Sequence, residues 1–155
     1  MKLEESHIRL LRSFQQHKVE YMLVGGHAAI YYGVERTTSD IDILIRPGTE
    51  NGIKILKAFS SLALNTEELL PEDFNENLVL TFGMIPEAVD LMNYIVGVDI
   101  DTAFEKATSF SVEDFHIKVI DIRDLLQNKL ALNRTGVKGL TDQQDILVLK
   151  KIISS

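Results

Sequence analysis

Apolar and polar positions change period several times along the chain, and each change marks an element. Leu3, Ile8, Leu10, Leu11 and Phe14 recur near a 3.6-residue spacing, which predicts an amphipathic helix over residues 3–17. Residues 20–24 read as a short buried strand. Residues 26–33, small and aromatic, read as a short helix that ends at Gly33, a C-cap. Residues 40–45, Asp-Ile-Asp-Ile-Leu-Ile, alternate polar and apolar and then run apolar. That pattern predicts a strand with one buried face whose exposed end carries the aspartates.

Pro47-Gly48 is a turn, and residues 50–62 predict a helix. Residues 64–76 are acidic without a period and read as a surface loop. Residues 78–82 and 87–91 predict two strands around a hairpin-like connection at residues 83–86. A short helix is expected over residues 101–107, then short strands at residues 110–112 and 117–120. Asp121 reads as the N-cap of a helix through Leu125, Leu126, Lys129, Leu130 and Leu132. Residues 133–140 contain Gly136 and Gly139 and read as a loop, with Thr141 or Asp142 capping a last helix that ends near Ile153. Helices and strands intermix, with pairing that reads as partly antiparallel. The expected class is therefore α+β, a mixed sheet flanked by helices, and not a doubly wound parallel sheet. A length of 155 residues fits one domain over residues 1–155, with a core at about 19–120 and a C-terminal helical part at about 121–155.

Composition narrows the function classes. Apolar residues make up 45% of the chain, enough for a packed core. There is no cysteine, which excludes disulfides, thiolate metal sites and a Cys nucleophile. No apolar run is long enough to span a membrane, and the start of the chain has no signal-like run, so a cytoplasmic location without membrane partners is expected. A net charge of −7 argues against strong whole-protein attraction to nucleic acid. Local contacts stay open through the basic residues of the C-terminal third: Lys118, Arg123, Lys129, Arg134, Lys138, Lys150 and Lys151.

The candidate chemistry lies between residues 24 and 42. On a strand, Asp40 and Asp42 point to the same face, where their charges repel unless a cation joins them. Mg²⁺ (or Mn²⁺) answers that need, since Mg²⁺ prefers carboxylates together with substrate phosphates. Gly25 and Gly26 leave the preceding strand and offer backbone N–H groups at the start of the next helix, a cradle for phosphate. A phosphate cradle beside a metal-ready carboxylate pair points to phosphoryl or nucleotidyl transfer.

Val24-Gly25-Gly26, Asp40-Ile41-Asp42-Ile43 and Val89-Asp90-Leu91 together resemble the nucleotidyltransferase superfamily with a polymerase-β-like core. Its pattern is hG[GS], then DhDh, then a third carboxylate from a later strand. The tract from Gly25 through Arg36-Thr37-Thr38 is similar to a bacterial branch of AbiEii-like and related stand-alone nucleotidyltransferases. So is the tail, where Lys129, Arg134, Asp142 and Asp145 match a K-x-x-x-x-R…D-x-x-D stretch. The resemblance implies a catalytic, metal-binding set of Asp40, Asp42 and Asp90, with Asp90 serving the attacking hydroxyl. It also implies nucleotide or phosphate contacts from Gly25, Gly26, Arg36, Thr38 and Lys129, with Arg36 contacting phosphate or bracing the carboxylates. The implied substrates are an NTP and a hydroxyl acceptor on RNA, tRNA or protein. Some members are toxins with a cognate antitoxin.

One departure stands out. Many members carry Ser where Gly26 sits, and its hydroxyl binds phosphate. That motivates an alternative: a catalytically inactive nucleotide- or partner-binding module. His27 reads as a locally packed residue at the helix start, and His7, His17 and His116 read as structural. Tyr31 and Tyr32 read as packing residues.

Overall fold

The structure, a computed structural model, describes residues 3–84 and 86–155. Met1 and Lys2 at the chain's start, and Ile85 of the 83–86 connection, lie outside the described residues. Six strands form one sheet: β1 (Tyr21–Val24), β2 (Ile41–Ile45), β3 (Val79–Phe82), β4 (Val89–Met92), β5 (Thr108–Val112) and β6 (Phe115–Val119). Their spatial order is β3-β4-β2-β1-β6-β5. Pairs β1–β2, β3–β4 and β5–β6 are antiparallel, while β2–β4 and β1–β6 are parallel. The expected mixed α+β sheet is what the chain builds.

Alternation along the strands divides the sheet into two faces. Tyr21, Leu23, Ile43 and Leu91 fall on one face and are buried. Helices α1 (Glu5–Gln16) and α3 (Thr49–Ser61) cover that face. Phe14 lies 5.6 Å from Tyr21 and 6.2 Å from Phe59, and Phe59 reaches Phe82 at 5.5 Å between ring centroids. A hydroxyl bond joins the two helices, where Ser13 donates to the Ala58 carbonyl at 3.2 Å. The opposite face carries Asp42, Asp90 and Thr81. Helix α4 (Ile100–Lys106) lies between β4 and β5 in the chain, and helix α2 (Gly25–Tyr32) packs on α5 (Ile122–Leu132) and α6 (Gly136–Ser154). Tyr32 donates to the Ile120 carbonyl at 2.5 Å and Tyr31 stacks on Phe110, so both tyrosines are packing residues.

Two expectations are corrected. Residues 64–76 are more than a surface loop: Pro71–Asn75 form a 3₁₀ helix whose Phe74 is fully buried. A single aromatic residue anchors that acidic segment, and one residue leaves no period to read. Residues 133–140 are also not a loop throughout. Helix α6 starts at Gly136 with Thr135 as its cap, six or seven residues before the anticipated cap at Thr141 or Asp142. Thr135 precedes it in extended conformation, Gly136 takes φ +69°, and Asp142 sits inside the helix as an ion-pair acceptor. Asp121 does cap α5, accepting from the Arg123 N–H at 3.0 Å. Among the described residues no helix is long and apolar enough to cross a membrane.

Candidate active site

Strand pairing brings the acidic residues together. Asp42 on β2 is the register partner of Asp90 on β4, and Asp90 is the partner of Thr81 on β3. On the other flank Asp42 pairs with Val24, the last residue before Gly25. One cross-strand row therefore reads Val24, Asp42, Asp90, Thr81. Thr81 donates its hydroxyl to Asp90 at 2.8 Å, which fixes the carboxylate's rotation. Asp40 stands one residue before β2, at its mouth, and accepts from the Ser39 hydroxyl at 3.2 Å.

The Asp42 carboxyl is pushed up to about 7. Burial is the main cause, the nearby Asp90 and Asp40 carboxylates add to it, and Lys129 offsets part of it. A half-buried carboxylate held among like charges is a site suited to a cation. Among the described residues no three carboxylate or imidazole groups close around a single point tightly enough to hold a metal ion. The donor set still fits Mg²⁺, which commonly takes one or two protein carboxylates and completes its shell with water and substrate phosphates.

The glycine pair is dictated by its neighbours. Gly25 has φ +65°, and a Cβ there would lie 2.1 Å from an Asp42 carboxylate oxygen. Only glycine permits the strand-to-helix turn to run this close to Asp42. At Gly26 a Cβ would meet the Thr38 hydroxyl at 2.8 Å and the Arg36 guanidinium at 3.0 Å. The space that a serine side chain would need is already taken by a hydroxyl and a cation from the segment after α2.

Behind the cradle, α5 and α6 supply a buried ion network. Arg36 donates through Nε and an Nη to the two Asp145 oxygens, at 2.9 and 3.0 Å. Lys129 Nζ lies 2.9 Å from Asp145 and 3.6 Å from Asp142. Arg134 binds both Asp142 oxygens, at 2.7 and 2.5 Å. Burial alone would raise the Asp142 carboxyl, but Arg134 and Lys129 outweigh it and hold it below the usual carboxylate range. The tail positions matched in the sequence thus meet in space, and their cations are held by the two aspartates of α6.

These groups line one cavity of about 650 Å³. Gly25, Gly26, Arg36, Thr38, Asp40, Asp42, Asp90, Lys129 and Arg134 all contribute to it. His27 does not; it is buried, and burial, with His7 beside it, pushes its imidazole down to about 4. The two rings meet edge to face at 6.0 Å, and His7 bonds the Ala88 carbonyl at 3.2 Å.

No protein-family profile matches the chain, and no curated protein matches it. Among solved structures the chain is similar to the lincosamide antibiotic adenylyltransferase LnuA with lincomycin bound, at a TM-score of 0.54 and 18% identity. The alignment covers 97% of this chain and 98% of that one. The fold is that of a nucleotidyltransferase. Identity this low speaks for the fold alone.

Within this nucleotidyltransferase fold the cavity holds residues that sequence reasoning did not single out. Val79 and Met92 line the cavity, on the sheet face that also carries Thr81, only because β3 and β4 pair in one register. Tyr94, Ile95 and Val96 follow β4 and line the same cavity. The alternation of Val79 and Thr81 with Leu80 and Phe82 was the available signal, since it sets two residues apart from the packed face.

Proposed function

We propose that the protein transfers a nucleotidyl group from an NTP to a hydroxyl acceptor. The observation that carries the reading is the register pairing of Asp42 with Asp90 beside the Gly25–Gly26 turn. In the proposed reaction the acceptor oxygen attacks the α-phosphorus and forms the new P–O bond. The bond from the α-phosphorus to the bridging oxygen breaks, and pyrophosphate leaves with the electron pair. The hydroxyl proton passes to Asp90, whose carboxylate Thr81 holds in place. Such chemistry depends on positioning and charge neutralisation, so few side chains suffice.

Asp42 and Asp90, with Asp40 at the strand mouth, would hold Mg²⁺ or Mn²⁺. The ion would neutralise charge on the phosphates of the bound nucleotide. The Gly25 and Gly26 N–H groups, the Thr38 hydroxyl and Arg36 would receive phosphate oxygens, with Lys129 behind them. Thr38 would supply the hydroxyl that Gly26 lacks, and an inactive nucleotide-binding module, the alternative, would be stabilised by NTP without transferring label. An RNA acceptor, and with it the toxin role implied by the resemblance, is one arm of the experiment described below.

The direct test combines α-labelled NTPs, Mg²⁺ or Mn²⁺ and thermal melting. NTP with metal is expected to stabilise the wild-type protein and not Asp42→Asn. A wild-type protein that NTP with metal fails to stabilise would sink the reading.

A further inference from the structure

The cavity floor changes character two residues from the catalytic row. The next row on the same face runs Met22, Leu44, Met92, Val79, and its last two members line the cavity. Tyr94 and Val96 extend this wall beyond β4. Val79, Tyr94 and Val96 are 53, 45 and 48% exposed. Large apolar groups that converge on a cavity while open to water mark a surface that something covers.

In-line displacement fixes what that is. The nucleophile must approach opposite the leaving pyrophosphate. The phosphate cradle stands at the junction of β1 and α2, and the strand order β3-β4-β2-β1 puts β4 and β3 on the far side of Asp42 from it. The acceptor therefore enters over β4 and β3, beside Asp90 and against the apolar wall.

The charge on that side selects the acceptor class. Between Lys57 and Lys106 the chain has no Lys, Arg or His, and this stretch contains all of β3, β4 and the wall; the charge it brings to the cavity is the Asp90 carboxylate. The cavity's cations are Arg36, Lys129, Arg134 and Lys138, from outside the stretch, and the first three are bound by Asp142 or Asp145. A polyanion arriving over β4 would meet the Asp90 and Asp42 carboxylates and no cation from β3, β4 or the wall.

We infer that the acceptor is a small hydroxylated molecule with an apolar body and no negative charge, seated on Val79, Met92, Tyr94 and Val96, and not an RNA. The inference rests on the nucleotidyl-transfer reading.

The experiment offers α-labelled NTPs and metal to the enzyme with two fractions of one cell extract, the small-molecule ultrafiltrate and the RNA. Wild type, Val79→Lys and Tyr94→Ala are compared, and each is melted with and without NTP. Label is expected in a small product from the ultrafiltrate. Either substitution should cut that transfer about tenfold or more, in the range that pocket contacts discriminate, while NTP still stabilises the variant. Val79 lies on an exposed edge strand, so Val79→Lys tests the wall without disturbing the core. Label in RNA overturns the inference. So does loss of NTP stabilisation in Val79→Lys and Tyr94→Ala, which would assign the wall to the nucleotide base. NTP stabilisation without any labelled small product overturns it as well. If NTP stabilises no form of the protein, it is the underlying reading that fails.

Discussion

Lys129 Nζ lies 2.9 Å from an Asp145 carboxylate oxygen, and the two side chains are only 3 and 0% exposed. Arg36 grips the same carboxylate with two hydrogen bonds. One residue of α6 thus holds a cation of α5 and a cation of the segment after α2. Removing one partner of a buried pair leaves charge without compensation, at about 3–5 kcal/mol. Asp145→Ala is expected to lose stability of that order in equilibrium urea unfolding. Lys129→Met with Asp145→Leu should recover only part of the loss, because the Arg36 guanidinium that the same carboxylate holds stays without its partner. Equal stability of Asp145→Ala and wild type would show that the pair is open to solvent.

Asp42 gives a pH dependence of unusual sign. Its carboxyl titrates near 3.8 in the unfolded chain and at about 7 in the fold. Between those values the folded state keeps a proton that the unfolded state has lost. Stability from this group is full below pH 4 and is lost as pH rises toward 7, by at most about 4 kcal/mol. Asp42→Asn removes that slope. In EDTA at pH 8 the variant is expected to melt higher than wild type, and near pH 4 the two should converge. The same substitution is expected to abolish the metal-dependent stabilisation by NTP proposed above. A variant that melts lower than wild type at pH 8 would contradict the burial argument.

Gly26 and Thr38 share one small volume. Gly26→Ser pushes a Cβ to within 2.8 Å of the Thr38 hydroxyl and 3.0 Å of Arg36, and overpacking of this kind costs about 1–3 kcal/mol. Thr38→Val keeps the shape and removes the hydroxyl. It is expected to weaken NTP binding by about tenfold, the worth of roughly one charge-assisted hydrogen bond, with little change in melting temperature without ligand. Gly26→Ser combined with Thr38→Ala moves the hydroxyl across the gap and should recover both stability and binding relative to Gly26→Ser. Calorimetric titration of NTP with Mg²⁺ across the four proteins measures this. Full NTP affinity in Thr38→Val would remove Thr38 from the cradle.

Much of the site was legible because its determinants are local. Val24-Gly25-Gly26 and Asp40-Ile41-Asp42 each declare a turn or a strand end within a few residues, and Val89-Asp90-Leu91 declares a strand with one outward carboxylate. Placing Asp90 beside Asp42, with Thr81 beyond it, depends on pairing between strands far apart in sequence, which no local pattern encodes. The α6 start was misplaced for a different reason. Gly136 and Gly139 weaken a helix in isolation, but packing on α5 and α2 and the ion pairs of Asp142 and Asp145 sustain the first turns. Tertiary contacts overrode the glycine signal there.

Phe74 is the other place where packing overrode local sequence, and it carries the last prediction. Its ring is fully buried in a segment otherwise rich in acids, and it lies over Gly52 of α3, where a Cβ would come within 2.6 Å of it. Its carbonyl accepts from the Gly48 N–H at 2.8 Å and from the Asn93 side chain at 3.2 Å. Asn93 also accepts from the Leu78 N–H at 2.8 Å, so the segment is tied to both ends of the β3–β4 hairpin that carries Asp90. Phe74→Ala empties a core position and is expected to cost about 3–5 kcal/mol. Because the hairpin hangs on this anchor, hydrogen exchange of the Thr81 and Asp90 amides should quicken more than that of Leu23 in the central strand. Uniform acceleration across the sheet would mean that Phe74 supports the whole core, with no special hold on the hairpin that carries Asp90.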